Sequence, residues 1–384
     1  MMLPFKLAFR NVMGGGIRTW LNVIVLAFTF ILIVFYHGLN SGWNTAAKTE
    51  AIEWSLGKGQ LRHNDFDLYD PFTIADGHGH LDNPQELNLE PELWRQASIY
   101  LGTRMISSQL RGISVDQTIL KIPMHLVAES NADIPVIIGK RMAASTKLGI
   151  GDETIMRWRD ANGTYDATNI TIVGIFDSDE VSIDEGQIWM DIEKLWEICD
   201  MPKNEATFYI SIEDRETLDI DGWNYHNQAS LVKYIDDLAE ADKIGAAVMY
   251  LLLLAIALLA IFDTQVLSIF RRQREIGTYI SLGLTRPRVV AIFTVEGSMY
   301  SILACIVGVI AGFPLFYYFG TNGIVMGDGG GAMAGVSIIY PVYGIALILS
   351  TTTLVIISST IVSFLPAKKI ATMDPVDALK GKLQ

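Results

Sequence analysis

Four stretches of the chain are apolar over roughly 20 residues or more, the length a helix needs to cross the hydrocarbon of a bilayer. The first is Trp20 to Asn40, WLNVIVLAFTFILIVFYHGLN, with no formal charge between Arg18 and Lys48. The second runs from about Ile244 to Phe270 and is interrupted only by Asp263. The third, about Val289 to Phe319, contains Glu296, and the fourth, about Val336 to Leu365, carries no charge. These patterns predict spans at 20–41, 244–270, 289–319 and 336–365. The first run is too long for the apolar core of a signal peptide (about 7–15 residues), and no small-x-small cleavage site follows it, so it is expected to remain as an anchor. The run from Asp236 through Phe270 can continue as one helix past the bilayer face, a stalk at about 1.5 Å per residue. The alternative is a break near Gly245.

Between the first two spans the pattern changes. Residues 42–243 show short alternating runs that predict strands: TILKIPMHLVA, DIPVIIG, TIMRWRD, NITIVGIF, GQIWMDI and TFYISIED. Helical patterns intervene at GKRMAASTKLG and MDIEKLWEICD, and NQASLVKYIDDLAEADKIGAA reads as a helix leading into the second span. Asn64 to Pro91 looks loop-rich. Mixed short strands and helices over about 200 residues predict an α+β domain large enough to bury its own core. The expected fold class is therefore a four-span α-helical membrane protein with a large α+β domain inserted between helices 1 and 2.

Charge sharpens this division. The 384 residues are half hydrophobic, yet 29 Lys+Arg face 42 Asp+Glu, a net −13. A single soluble domain fits that combination poorly. The segment Ser41 to Lys243 alone holds 17 basic and 36 acidic residues, a net −19. The three other charged segments hold 12 basic and 3 acidic residues, a net +9. They are 1–19 (Lys6, Arg10, Arg18), 271–288 (Arg271, Arg272, Arg274, Arg286, Arg288) and 366–384 (Lys368, Lys369, Lys380, Lys382). Lys and Arg near span ends mark the cytoplasmic side. Both termini and 271–288 are therefore expected inside, with 42–243 and the loop 320–335 outside. Cys199 and Cys305 are too few for a disulfide framework.

The short segment RRQREIGTYISLGLTRPRVV, Arg271 to Val290, is more than an anchor. Ile276, Tyr279 and Ile280 lie at i, i+3 and i+4, one stripe of a helix. Gly283 can stop that helix, and Thr285 can cap the next one with Pro287 in its first turn. A helix of about two turns is expected along the membrane surface, its apolar face meeting lipid or protein.

These residues carry a resemblance. REIGTYISLGLTRPRVVAIFTVEG, Arg274 to Gly297, resembles the signature of FtsX/MacB-like (type VII) ABC-transporter permeases, with its R-E-I-G start and an E-G pair in the following span. LAFRNVMGGGIRTWLNVIVLAF resembles that family's N-terminal start and first span. FLPAKKIATMDPVDALKGK resembles its closing motif, with Lys380 in place of Arg. PVIIGKRMAASTKLGIGDETIMRW and NITIVGIFDSDEVSIDEGQIWMDIEKLWEI resemble its porter-like domain, with Met142 in place of the usual Leu; a second subdomain would accompany it.

The resemblance implies a coupling helix made of Arg274, Glu275, Ile276, Gly277, Ile280, Ser281, Leu282 and Gly283, seated on an ABC ATPase subunit. It implies two such ATPases per complex, a second permease that is identical or homologous, and a bacterial inner membrane with the large domain periplasmic. ATP and Mg would bind the ATPase subunit; no cofactor is expected in this chain, and no G-x-x-x-x-G-K-[ST] motif occurs in it. Lipoprotein-releasing LolC/LolE-like members come closest in chain length and in the size of the insertion. A lipoprotein substrate, a periplasmic carrier and membrane lipid are then further partners. MacB-like efflux, FtsX-like control of a cell-wall hydrolase and a membrane-anchored sensor are the alternatives.

Asp263 and Glu296 are ionisable groups within spans, which are costly and often functional; a proton relay is one reading, a structural hydrogen bond or interfacial charge the preferred one. The DGHGH run with Asp76, His78 and His80, near His63, Asp65 and Asp67, offers metal-ligand types. It lacks the rigid spacing of a catalytic zinc site and is expected to be a solvated loop. The acidic balance of 42–243 argues against nucleic acid as a partner.

Overall fold

The computed structural model describes residues 16–178, 181–326 and 338–372. The N-terminal segment before Gly16, the GDGGG run and the tail beyond Thr372, including Lys380, lie outside the described residues. The helices that organise the chain are α1 (Gly16–Ala51), α2 (Lys140–Thr146), α3 (Ile192–Ile198), α4 (Lys233–Arg271), α5 (Gln273–Ser281), α6 (Arg286–Asn322) and α7 (Ile345–Lys368). The chain divides into two compact units. One comprises the described residues up to Trp43, Ala239–Val325 and those from Ile338 onward; the other is centred on Asn44–Leu238.

In the first unit, α1, α4, α6 and α7 are each long and apolar enough to cross a membrane. A helix suits that setting because it satisfies every backbone hydrogen bond within itself. Leu26, Phe30 and Val34 of α1 pack with Leu254, Ala257 and Ile261 of α4 and with Tyr300 and Ala304 of α6. Gly308 of α6 lets the Phe30 ring lie directly on its backbone, the small-residue contact typical of packed membrane helices. α4 is one uninterrupted helix of 39 residues, about 58 Å long. It passes through Gly245 without a break.

The fourth span differs from expectation. Its helix begins at Ile345 rather than near 336. Ile338–Ile339 pairs instead with Ile324–Val325 as a small hairpin. Val342 then donates its N–H to the Gly38 carbonyl at 2.9 Å, and the Tyr343 ring lies 4.7 Å from that of Phe316. These apolar residues are used in extended chain, so apolar length overstated the helix.

The second unit is built on β1 (Gly59–His63), β2 (Gly79–His80), β3 (Leu89–Leu101), β4 (Arg104–Ile113), β5 (Pro135–Gly139), β6 (Glu153–Arg159), β7 (Tyr165–Phe176), β8 (Gln187–Asp191), β9 (Glu205–Ala206), β10 (Phe208–Ser211) and β11 (Trp223–Asn227). The main sheet runs β11-β1-β10-β3-β4-β8-β5-β7-β6, and β6 pairs back onto β3. Six strands thus close into a ring. Its core gathers Leu93, Leu110, Val136, Ile138, Met156, Ile170, Ile188 and Met190, with Met142 of α2 and Leu195 and Trp196 of α3 packed against them. The first residues of β3 leave the ring and pair with β10, Phe208 opposite Glu92. Where the chain enters and leaves this unit, Ala47, Ala51 and Leu56 pack on Val232 and Ile235, and Lys48 Nζ lies 2.5 Å from Asp236.

The expected strands at 133–139, 154–160, 169–176, 186–192 and 207–214 all contain observed strands, and all three expected helical segments contain helix. TILKIPMHLVA does not form a strand; it bends and ends in a short helix at His125–Ala128. The β3–β4 hairpin, paired from Leu101↔Arg104 to Glu92↔Ile113, was missed. Its pattern is hidden by a buried ion pair. Arg111 donates to Glu92 through Nε at 2.6 Å and to Gln187 through Nη1 at 2.9 Å. The guanidinium lies between the Trp94 and Trp189 rings, 4.5 and 4.1 Å from their centroids. Charged residues in core positions erase the alternation that marks a strand.

Candidate functional site

The segment between α4 and α6 forms a built elbow. α5 starts immediately after α4, with Arg272 as its N-cap residue. Its end is a Schellman motif: Gly283 (φ +91°) donates to Ile280 O at 3.0 Å, and Leu284 donates to Tyr279 O at 3.0 Å. Glycine tolerates that φ without strain. Thr285 is indeed the N-cap residue of α6, with Pro in the first turn, but its hydroxyl makes no capping bond.

The apolar stripe is present, and it is already covered. Ile276 is fully buried with Ile269, Val289, Phe293, Ala367 and Ile370, while Tyr279, Ile280 and Leu284 pack around the edge. Gln273 and Gly277 are buried as well. The stripe seats α5 on the ends of this chain's own α6 and α7, so Ile276, Gly277 and Ile280 are anchoring residues rather than an open face. The opposite side of the elbow exposes Arg274, Glu275, Thr278, Ser281, Leu282 and Gly283. Leu282 is 74 % exposed.

Arg272, read from sequence only as an orientation signal, is the hub of the elbow. Its Nε donates to Glu275 at 2.7 Å and its Nη1 to Glu296 at 2.9 Å. Its guanidinium lies 4.9 Å from the centre of the Phe293 ring. The spacing of Arg272 and Glu275 at i and i+3 was visible; the long-range bond to Glu296 was not. The E-G pair now has two physical parts. Glu296 is buried and held by Arg272. Gly297 lies so close to α7 that any Cβ there would overlap the Ser363 side chain. Ser359 donates to the Gly297 carbonyl at 3.3 Å. Gln265 of α4 is also fully buried at this seam, the amide of Gln265 and the hydroxyl of Ser363 finding no hydrogen-bond partner among the described residues. Asp263, by contrast, is exposed on the surface of α4. No salt bridge among the described residues holds Asp263, whereas Glu296 is paired with Arg272.

The histidine-rich segment is a structural pin. His78 sets Nδ1 2.6 Å from Glu205 and Nε2 3.1 Å from the Ala75 carbonyl. His80 reaches the Lys203 carbonyl at 3.0 Å and Asp82 at 3.2 Å. These bonds tie β2 to the residues around β9. Among the described residues, no group of three or more His, Cys, Asp or Glu is placed to hold a metal.

The four apolar helices and the large sheet-containing unit are consistent with a membrane protein. Residues 247–375, which include the elbow and the E-G pair, match the family model described as FtsX-like permease C-terminal. The chain is similar to a macrolide export ATP-binding/permease protein MacB from Shewanella sp. (strain ANA-3), 30% identical over 151 residues, 38% of this chain and 21% of that protein. It is likewise similar to a MacB protein from Burkholderia cenocepacia (strain HI2424), 24% identical over 156 residues, 40% of this chain and 21% of that protein. It therefore spans about a fifth of the length of these curated relatives. Over its C-terminal third the chain therefore resembles FtsX-like permeases, and its similarity to the MacB proteins is at low identity.

Proposed function

We propose that this chain is the permease subunit of an ABC transporter and that the elbow conveys the movement of an ATPase to the rest of the chain. The observation that carries this is the two-sided build of α5. One face is locked to α6 and α7 by Ile276 and by Arg272–Glu296, and the other presents Arg274, Glu275, Thr278, Ser281 and Leu282. A push on a rigid, firmly seated helix moves the spans to which it is fixed. The chain has no P-loop sequence, and in this proposal ATP and Mg are handled by a separate ATPase, two per complex with a second permease. The basic elbow is cytoplasmic and the acidic unit periplasmic, across a bacterial inner membrane.

Extrusion of an outer-leaflet or periplasmic substrate follows as the task. The relatives named for macrolide export favour MacB-like extrusion over lipoprotein release, the alternative suggested by the size of the insertion. The test is purification of tagged chain from its native membrane, with Leu282→Arg beside the wild type. A co-purifying ABC ATPase whose turnover is stimulated by the wild-type chain, and at least tenfold less by the variant, is the expected result. Wild-type chain that retains no nucleotide hydrolase, or a variant that stimulates normally, overturns the proposal.

A further inference from the structure

The sheet unit holds a cleft of about 550 Å³ that none of the preceding chemistry uses. One wall is the turn carrying Phe72 and Ile74, the floor is Ser98 and Ser107 of β3 and β4, and the far wall is the β6–β7 hairpin from Arg157 to Tyr165. The walls are held in place. Arg95, itself buried, donates to the Ala75 carbonyl at 3.0 Å, and Gln96 donates to the Pro71 carbonyl at 2.8 Å. Across the cleft, the Arg157 guanidinium stacks on the Tyr165 ring at 4.1 Å, and Arg159 donates from Nε to the Gly163 carbonyl at 3.1 Å. Each bond fixes a guanidinium at the opening and leaves further N–H groups for a ligand. Arg157 and Arg159 enter no salt bridge among the described residues.

The geometry points to a binding site for an amphiphilic organic anion, with its carboxylate or phosphate on Arg157 and Arg159 and its apolar body between Phe72, Met105 and Tyr165. Three features lead to that class. Guanidinium groups match the planar oxygens of carboxylate and phosphate. Two large apolar side chains here are open to solvent, Phe72 at 83 % and Met105 at 59 %, and a ligand would cover them. The surrounding segment carries a net −19, which repels a bare anion at long range, so apolar contact must supply part of the affinity. The volume lies in the range of small-molecule sites. Asp76 and Asp160 also border the cleft; they limit the site to one anionic group, placed at the arginine end.

Isothermal titration of the full chain in lipid nanodiscs, with empty nanodiscs as reference, tests this with 2-naphthoate, 2-naphthyl phosphate, the neutral 2-naphthalenemethanol and inorganic phosphate. Saturable binding of naphthoate or naphthyl phosphate is expected, each at least tenfold tighter than the neutral compound and inorganic phosphate; which of the two binds better distinguishes carboxylate from phosphate. Arg157→Ala/Arg159→Ala should weaken binding at least tenfold, and Arg157→Lys/Arg159→Lys, which keeps charge and fold, by a smaller factor. No saturable binding, equal binding of the neutral compound, inorganic phosphate as tight as the naphthyl anions, or full affinity in both double variants would each overturn the proposal.

Discussion

Gly297→Ala is the sharpest test of how the membrane unit is held. The added methyl would be placed inside the Ser363 side chain and 3.2 Å from the Gln265 amide nitrogen. Both neighbours are fully buried, so there is no open side into which they can swing. Overpacking of this kind costs about 1–3 kcal/mol. For a unit of this size, 1 kcal/mol corresponds to about 2–4 °C in Tm, so the expected loss is roughly 2–12 °C. The protein supplies its own reporter. Cys305 is a buried free thiol in α6, and a thiol-reactive dye reads its exposure on heating once Cys199 is replaced by Ala. Ser363→Gly removes the obstructing side chain and should restore most of the loss in the double variant. If Gly297→Ala melts within 1 °C of the parent (a margin set by the estimate above), or if Ser363→Gly does not rescue it, the close approach of α6 and α7 is not what this glycine serves.

Ile276→Asp buries a charge in the protein's own core and should lower membrane-unit stability by several kcal/mol, read by the same dye assay, whereas Leu282→Asp on the exposed face should melt like the parent. Arg111→Met leaves Glu92 buried and unpaired, so the sheet unit should lose about 3–5 kcal/mol. Labelling of Cys199 reports this, because burial pushes its thiol up to about 11 and keeps it unreactive while folded. Burial, then the nearby Asp116, raises the Glu90 carboxyl above its usual 4.5. A raised folded value means that the contribution is fully present below 4.5 and is lost as pH rises through the folded value. Sheet-unit Tm should fall over that interval in the parent, and Glu90→Gln should flatten the slope.

What could be read in advance follows from how each residue signals its place. Long apolar helices announce themselves through unbroken apolar length, so each of the four could be located in the sequence. The same rule misplaced the start of the fourth, since Tyr340, Val342 and Tyr343 are as apolar as any helix yet lie in extended chain against neighbouring helices. Period 3.6 revealed the stripe of Ile276, Tyr279 and Ile280 and the glycine stop. It could not tell whether that stripe would be covered by a foreign protein or by Phe293 and Ala367, because a pattern records that a face is apolar and not what meets it. Arg272–Glu296 joins positions 24 residues apart, beyond any local periodicity. In the sheet unit, Glu92 and Arg111 carry no apolar signal in the sequence; only their pairing between two tryptophans makes them core.

β3 is shared property. Its later residues are staves of the closed ring and its first residues belong to the flanking strands β10, β1 and β11, so neither half can come apart without pulling a strand out of the other. Within the sheet unit, heat or denaturant should therefore meet one cooperative block rather than two lobes, with a single calorimetric peak for that unit. Proteolytic clipping inside Leu89–Leu101 should release both lobes to degradation together.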